Sequence, residues 1–287
     1  MYPTLINFGT IGSFPVGIHS YGVMLATAFI TCSLLLGREL NRRGFQGEIA
    51  TALVAAGAIG GIVGAKIYYV LFIADPFHLH DLFSPSGLVW YGGLFGGSAG
   101  VAWVILRSPN PFLPTIDIVG PLLLLGYGIG RIGCLLAGDG DYGPPSDLPW
   151  AMAFPNGTVP TDVPVHPTPI YETTISFIFF GILWSQRKKF KSVPGLLFGA
   201  SLVGLAVERF IVEFWRLTPR VFPETSSLSW MTSPQLVSII LFCFGIFFIV
   251  WMYKRPSVAA ASPMIDEQPI PEPKKKPSRP QKRRRRR

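Results

Sequence analysis

Arginines inside apolar runs are the first residues here that can do chemistry. Arg131 follows PLLLLGYGIG with no other charge nearby, and Arg209 sits within GLAVERFIVEFWR. Lys66 is the third such cation, in GIVGAKIYYV. An ionised side chain at the centre of a membrane helix costs roughly 2.5–3.5 kcal/mol on insertion scales, so each is read first as part of a functional site. Arg209, Glu213 and Arg216 stand at i, i+4 and i+7, one helical stripe, with Glu208 on an adjoining face. The guanidinium is a planar fork of donors suited to phosphate oxygens. Two such groups on different helices point to a lipid phosphate held below the membrane surface. The competing readings are an ion-pair ladder for the stripe and snorkelling to the headgroups for Lys66.

Other polar and aromatic residues gather towards the same side. His19 and Tyr21 lie in GIHSYG, Tyr91 with Gly92 and Gly93 in GLVWYGGLFGG, and His166, Tyr171 and Glu172 in HPTPIYE. Asp139 and Tyr142 follow Arg131 in GRIGCLLAGDGDYG. Taken singly, each aromatic is also a natural belt residue at the membrane interface. Cys32, Cys134 and Cys243 show no CxxC spacing, so neither a disulfide framework nor a metal site is expected, and no cofactor is implied.

The elements that must position these groups are membrane helices. The 287 residues are 49% hydrophobic and 14% charged, against about 25% charged in soluble domains. The expected fold is an all-α integral membrane protein of about seven transmembrane helices. The spans lie near 17–37, 49–73, 87–106, 114–137, 169–186, 195–215 and 234–253. Arg38, Arg42 and Arg43, then Arg107, then Arg187, Lys188, Lys189 and Lys191 fall on one side, while 74–86 and 138–168 hold no Lys or Arg. The positive-inside rule therefore places the N-terminus outside and the C-terminus in the cytoplasm. Segment 138–168 is expected to form a small periplasmic cap with short strands.

Gly57, Gly60, Gly61 and Gly64, and Gly92, Gly93, Gly96, Gly97 and Gly100, make overlapping GxxxG patterns. Such patterns mean close helix packing, or room for a lipid. The first apolar run is too long, and lacks a basic flank, for a cleavable signal peptide. The membrane domain is expected over 1–253. Residues 254–287, with twelve of the 25 basic residues, read as a disordered cytoplasmic tail. An anionic leaflet is a better partner for that tail than nucleic acid, which is not expected.

These motifs resemble one family, the bacterial phosphatidylglycerol–prolipoprotein diacylglyceryl transferases. GRIGCLLAGDGDYG is similar to the family's Gly-Arg-x-Gly-Asn-Phe-x-Asn-Gly-Glu, and HPTPIYE to its His-Pro-Thr-Gln-Leu-Tyr-Glu. RFIVEFWR matches its Arg-Phe-x-x-Glu-Phe-x-Arg, and IHSYG resembles its His-Trp-Tyr-Gly. The likeness runs in order from about residue 10 to 253 and leaves out the tail. It implies transfer of a diacylglyceryl group from phosphatidylglycerol to the lipobox cysteine of a preprolipoprotein signal peptide. A thioether forms and glycerol phosphate is released, the first step of lipoprotein maturation in the bacterial inner membrane.

By the same resemblance Arg131 binds the lipid head, Arg209 assists at the phosphate and Tyr21 is an essential site residue. Tyr91 is a further catalytic candidate. His19, Gly92, Gly93, Asp139, Tyr142, His166, Tyr171, Glu172, Glu213 and Arg216 make up the substrate-binding set. The chain departs from the pattern at five positions. Tyr91 stands where many members have histidine, Cys134 and Ala137 replace asparagines, Asp139 replaces the glutamate with one extra residue before Tyr142, and Pro169 replaces a glutamine. With Tyr91 a poor base at an ordinary pKa of about 10, His19, His166, Glu172 or a phosphate oxygen is left to take the thiol proton. Two other classes fit the same charges: a secondary transporter of an anionic solute, and a non-catalytic scaffold with packing ion pairs.

Overall fold

A computed structural model describes residues 2–11, 14–72, 90–222 and 225–255. Seven α-helices are present among them: α1 (Ser20–Arg42), α2 (Ile49–Phe72), α3 (Trp90–Arg107), α4 (Phe112–Ala137), α5 (Thr168–Gln186), α6 (Leu196–Val212) and α7 (Ser233–Lys254). By length and composition α1, α2, α4 and α7 are each able to cross a membrane. Their outward faces carry large apolar side chains, such as Ile59 on α2 and Ile240 and Phe247 on α7. That surface suits lipid rather than water. The basic tail lies outside the described residues from Pro256 onward, as does the loop at 74–86.

Helix α4 is the hub. It packs against α1, α5 and α6, and Ile116, Ile118, Leu122, Leu124 and Ile129 are buried along it. At its start Asp117, also buried, accepts the backbone N–H of Gly195 at 2.7 Å and of Phe198 at 2.9 Å. This carboxylate takes up donors that the first turn of α6 leaves without intrahelical partners. Gly120 brings the two helices together, since a Cβ there would lie 2.8 Å from Ser201 Oγ.

Helices α2 and α3 pair through their glycines. A Cβ on Gly60 would meet the carbonyl oxygen of Gly96 at 2.5 Å, and one on Gly92 would collide with the carbonyl of Gly64. Close backbone approach at small residues drives such contacts in lipid. We expect Gly60→Ala to lower the thermal midpoint in detergent, at an overpacking cost of about 1–3 kcal/mol. Gly181→Ala on α5, where nothing lies within 4 Å of the new methyl, should raise it slightly because alanine is the better helix former. Paired melting curves of the two variants check this.

Two antiparallel hairpins accompany the helices: β1 (Thr4–Ile11) with β2 (Phe14–His19), and β3 (Met152–Phe154) with β4 (Thr161–Val165). The second lies in the 138–168 segment, where short strands were expected. The first was not anticipated, because its second strand runs directly into α1 and its apolar residues merge with the helix pattern. The first helix accordingly starts at Ser20 rather than near 17, and ends at Arg42 rather than near 37.

Candidate active site

The C-terminal end of α4, the N-terminal ends of α1 and α5 and the far end of α6 meet at one end of the bundle. Helix α4 stops because Gly138 adopts a left-handed φ of 58° and donates its N–H to Cys134 O at 2.9 Å. Thr158 N–H and Val159 N–H then satisfy the carbonyls of Ala137 and Gly138 at 2.9 and 2.8 Å. This Gly-capped ending turns the chain so that Asp141 comes back towards Arg131. Thr168, in the first turn of α5, holds the loop by donating its hydroxyl to Asp141 O. Tyr142 stacks on Phe154 at 4.4 Å and so fixes the hairpin over this end.

Glu172 is the centre of the site, and its side chain is fully buried. Nε and Nη2 of Arg131 both meet its Oε2. Arg209 Nη1 and Arg216 Nη1 reach Oε1 at 3.1 and 3.3 Å, and Tyr127 OH donates to the same oxygen at 3.2 Å. Asp141 is the second bridge. Its Oδ2 takes Arg131 Nη1 at 2.6 Å and its Oδ1 takes Arg216 Nη2. Glu213 is the third, 2.8 Å from Arg209 Nη2 and 3.8 Å from Arg216 Nε. Thr232, capping α7, donates to Glu213 Oε1 at 2.9 Å.

Three guanidiniums are thus matched by three carboxylates. The arginines that the sequence marks for a lipid phosphate are held in a network that is neutral as a whole, with the ion pairing of the Arg209–Glu213–Arg216 stripe as one part of it. Desolvating unpaired charges in lipid is costly, which is the physical reason for the pairing. Arg209 is the most accessible of the three, with 26% of its side chain exposed against 12% for Arg131 and 13% for Arg216. Glu208 lies beside this network, 1% exposed, and its Oε1 has no hydrogen-bond partner among the described residues.

Burial alone would raise the Asp141 carboxyl, but Arg131 and Arg216 outweigh it and hold the group below the ordinary carboxylate range. A folded-state pKa below the unfolded one means that Asp141 stabilises the fold above the unfolded value, about 3.9. That contribution is lost as the pH falls through the folded value. Asp141→Asn should therefore lower thermal stability at pH 7 and shrink the difference from wild type below about pH 4. Melting curves of both proteins across that range test this.

Beside the network opens a cleft of about 500 Å³ lined by Pro3, His19, Tyr21, Gly22, Ala137, Asp139 and Thr158. The N-terminal hairpin builds one wall, docked by Tyr2 N–H on Leu136 O at 3.1 Å and Ser20 N–H on Pro3 O at 3.0 Å. Tyr21 packs on Gly133 of α4, where a Cβ would lie 3.2 Å from its ring. The nearby Cys134 sulfur accepts from Arg131 Nη1 at 3.5 Å.

His166 and Tyr171 form a separate polar group. The His166 Nδ1 lies 3.1 Å from Tyr171 OH, which also accepts Trp150 Nε1–H at 2.8 Å. Gly92 and Gly93, proposed from the sequence for substrate binding, sit at the α2–α3 crossing instead of in the arginine network. The Tyr91 side chain lies outside the described residues.

Asp141 and Tyr127 are site residues that sequence reasoning did not select. The signal for Asp141 was present in the paired aspartates of GDGDYG, ten residues from Arg131. Tyr127 carries no signal, being one aromatic in an apolar helix. The spacing of the cysteines also gave no hint that ligand atoms of Cys134, Asp139 and Asp141 lie within 4.8 Å of one another. Asp141 is already engaged by two guanidiniums there, so a cation would have to compete with both.

The fold and this network define a multi-helix membrane protein with a charge-compensated arginine centre at one end of its bundle. Residues 9–251 match the family described as prolipoprotein diacylglyceryl transferase. The chain is 34% identical over 241 residues to the phosphatidylglycerol–prolipoprotein diacylglyceryl transferase of Clostridium tetani, covering 82% of this chain and 93% of that protein. It is 30% identical to the proteins of the same name from Vibrio cholerae (88% and 92% covered) and Leptospira interrogans (82% and 89%). The chain belongs to the prolipoprotein diacylglyceryl transferase family. Nothing in these likenesses supports the transporter reading.

Proposed function

We propose that the protein transfers the diacylglyceryl group of phosphatidylglycerol to the cysteine thiol of a prolipoprotein, working from the outer face of the bacterial inner membrane. The observation that carries this reading is the convergence of Arg131, Arg209 and Arg216 on Glu172 beside an open cleft. Sulfur attacks the glyceryl carbon that bears the phosphate ester. The C–S bond forms, the C–O bond breaks, and the electron pair leaves on the phosphate of glycerol phosphate. Negative charge therefore grows on phosphate as the reaction proceeds. Preorganised guanidiniums stabilise that transition state more than the ground state.

The network is neutral before substrate arrives, so the lipid phosphate must take over guanidinium contacts now made by carboxylates. Arg209, the most accessible, is the natural first contact, and Arg131 follows by releasing Asp141 or Glu172. The thiol proton needs an acceptor. Glu172 is spent on three arginines, and His166 is tied to Tyr171. His19 lines the cleft next to Tyr21, its Nδ1 lying 3.3 Å from Thr4 Oγ1. We assign His19 as the residue that takes the proton, which passes on to the leaving phosphate. Asp139 and Tyr21 position the head at the mouth of the cleft. The acyl chains and the signal helix of the prolipoprotein, whose lipobox carries the cysteine, enter sideways from the bilayer.

Purified protein given phosphatidylglycerol and a lipobox peptide should add one diacylglyceryl mass to the peptide cysteine. A peptide with serine in that place should stay unmodified. Hydrolysis of the lipid without any gain of mass on the cysteine peptide would overturn the assignment.

A further inference from the structure

A second guanidinium cluster lies at the other end of the same helices. From Tyr21 to Glu39 α1 rises ~27 Å at 1.5 Å per residue, close to the thickness of a bilayer core. At that far end Glu39, with its side chain 3% exposed, takes Arg42 through Nε at 2.7 Å and through Nη2. It also takes Arg43 Nε at 3.1 Å and Arg187 Nε at 3.2 Å. Arg43 is itself buried and donates to the carbonyls of Pro114 and Arg187, each at 3.4 Å. Arg187 donates to Trp184 O at 2.6 Å and stacks on the Trp184 ring at 4.4 Å.

The two clusters differ in balance. Around Glu172 three arginines meet three carboxylates. Around Glu39 three arginines share one carboxylate. Two further acids lie at this end: the buried Asp117, spent on the backbone N–H groups of Gly195 and Phe198, and the exposed Glu48 in the connection to α2, which among the described residues makes no ion pair with these arginines. Lys188, Lys189 and Lys191 add further positive charge on the connection to α6. Among the described residues Arg42 Nη1 and Arg187 Nη2 make no hydrogen bond, and 38% of the Arg42 side chain is exposed. Guanidinium donors left over at a membrane boundary, next to an aromatic ring, are what an anionic headgroup requires.

We infer that Arg42 and Arg187, held in place by Glu39, bind the phosphate of an anionic phospholipid in the leaflet opposite the cleft. The lipid joins the ends of α1 and α5 and supplies the negative charge that the cluster lacks. By the positive-inside reading this is the cytoplasmic leaflet.

Native mass spectrometry of the full chain tests this, with lipid added as dioleoyl phosphatidylglycerol, dioleoyl phosphatidylcholine as control and inorganic phosphate as a separate arm. Wild type should retain one more phosphatidylglycerol than Arg42→Gln/Arg187→Gln, with affinity for that lipid reduced at least tenfold in the variant. If the double variant does not fold, Arg42→Gln alone gives the same reading, because Glu39 keeps Arg43 and Arg187. Equal retention in wild type and variant would overturn the site. So would equal retention of phosphatidylcholine, or binding of inorganic phosphate without the lipid. Transfer to a lipobox peptide, measured in parallel, is a separate readout and does not decide this one.

Discussion

Arg131→Ala should leave a folded protein whose rate of transfer to a cysteine peptide is lower by about 10²–10³, the usual loss when one preorganised donor is removed from developing charge. Folding should survive because Glu172 keeps Arg209 and Arg216, and Asp141 keeps Arg216. Activity should not survive, because Arg131, which like Arg216 joins both Glu172 and Asp141, is the one of the three that also donates to Cys134, in the last turn of α4 beside the cleft-lining Ala137. Arg131→Lys should recover little of it. A point charge on a flexible stem cannot hold two carboxylates and then present a fork to phosphate. Kinetics on both variants, with melting curves to confirm folding, give the comparison. Full activity in the alanine variant would remove Arg131 from the chemistry.

Glu172→Gln should separate binding from turnover. With the charge gone, three guanidiniums face two carboxylates, so an incoming phosphodiester meets a surplus cation instead of a balanced network. KM for phosphatidylglycerol should fall. The more negative product phosphate should also leave more slowly, so kcat should fall with it. Glu172→Ala is a different case. Truncation leaves the Nε and Nη2 face of Arg131 buried without its acceptor, and breaking a buried pair costs about 3–5 kcal/mol. That variant should melt far below wild type, and the glutamine variant between the two, because its carbonyl oxygen still accepts from a guanidinium while the surplus cation stays buried. A rise in KM for Glu172→Gln would show that the carboxylate holds the arginines for phosphate and does not compete with it.

Most of the helical architecture was legible because lipid imposes long apolar runs with few charges. The same constraint made Arg131 and Arg209 conspicuous. Their partners were harder to read. Glu172 was visible as a site residue in HPTPIYE but not as the common acceptor for three arginines, since that role depends on how α4, α5 and α6 meet. Asp141 belongs to a loop, and the left-handed turns at Gly138 and Gly140 bring it back to Arg131. Gly92 and Gly93 carried two meanings, close packing or room for lipid, and the α2–α3 crossing shows the close packing, most tightly at Gly92 against Gly64. The N-terminal hairpin was invisible because strand β2 and helix α1 share one apolar run. Its consequence is functional, since it places His19 and Pro3 in the cleft.

The central claim is that substrate phosphate replaces carboxylates on the arginines. A cryo-EM structure with a non-transferable phosphatidylglycerol analogue tests it most directly. The account predicts the phosphate within hydrogen-bond reach of Arg131 and Arg209, roughly 3 Å, with Asp141 or Glu172 released from at least one guanidinium. A headgroup bound elsewhere, with all three arginines still paired to Glu172, Asp141 and Glu213, would contradict it.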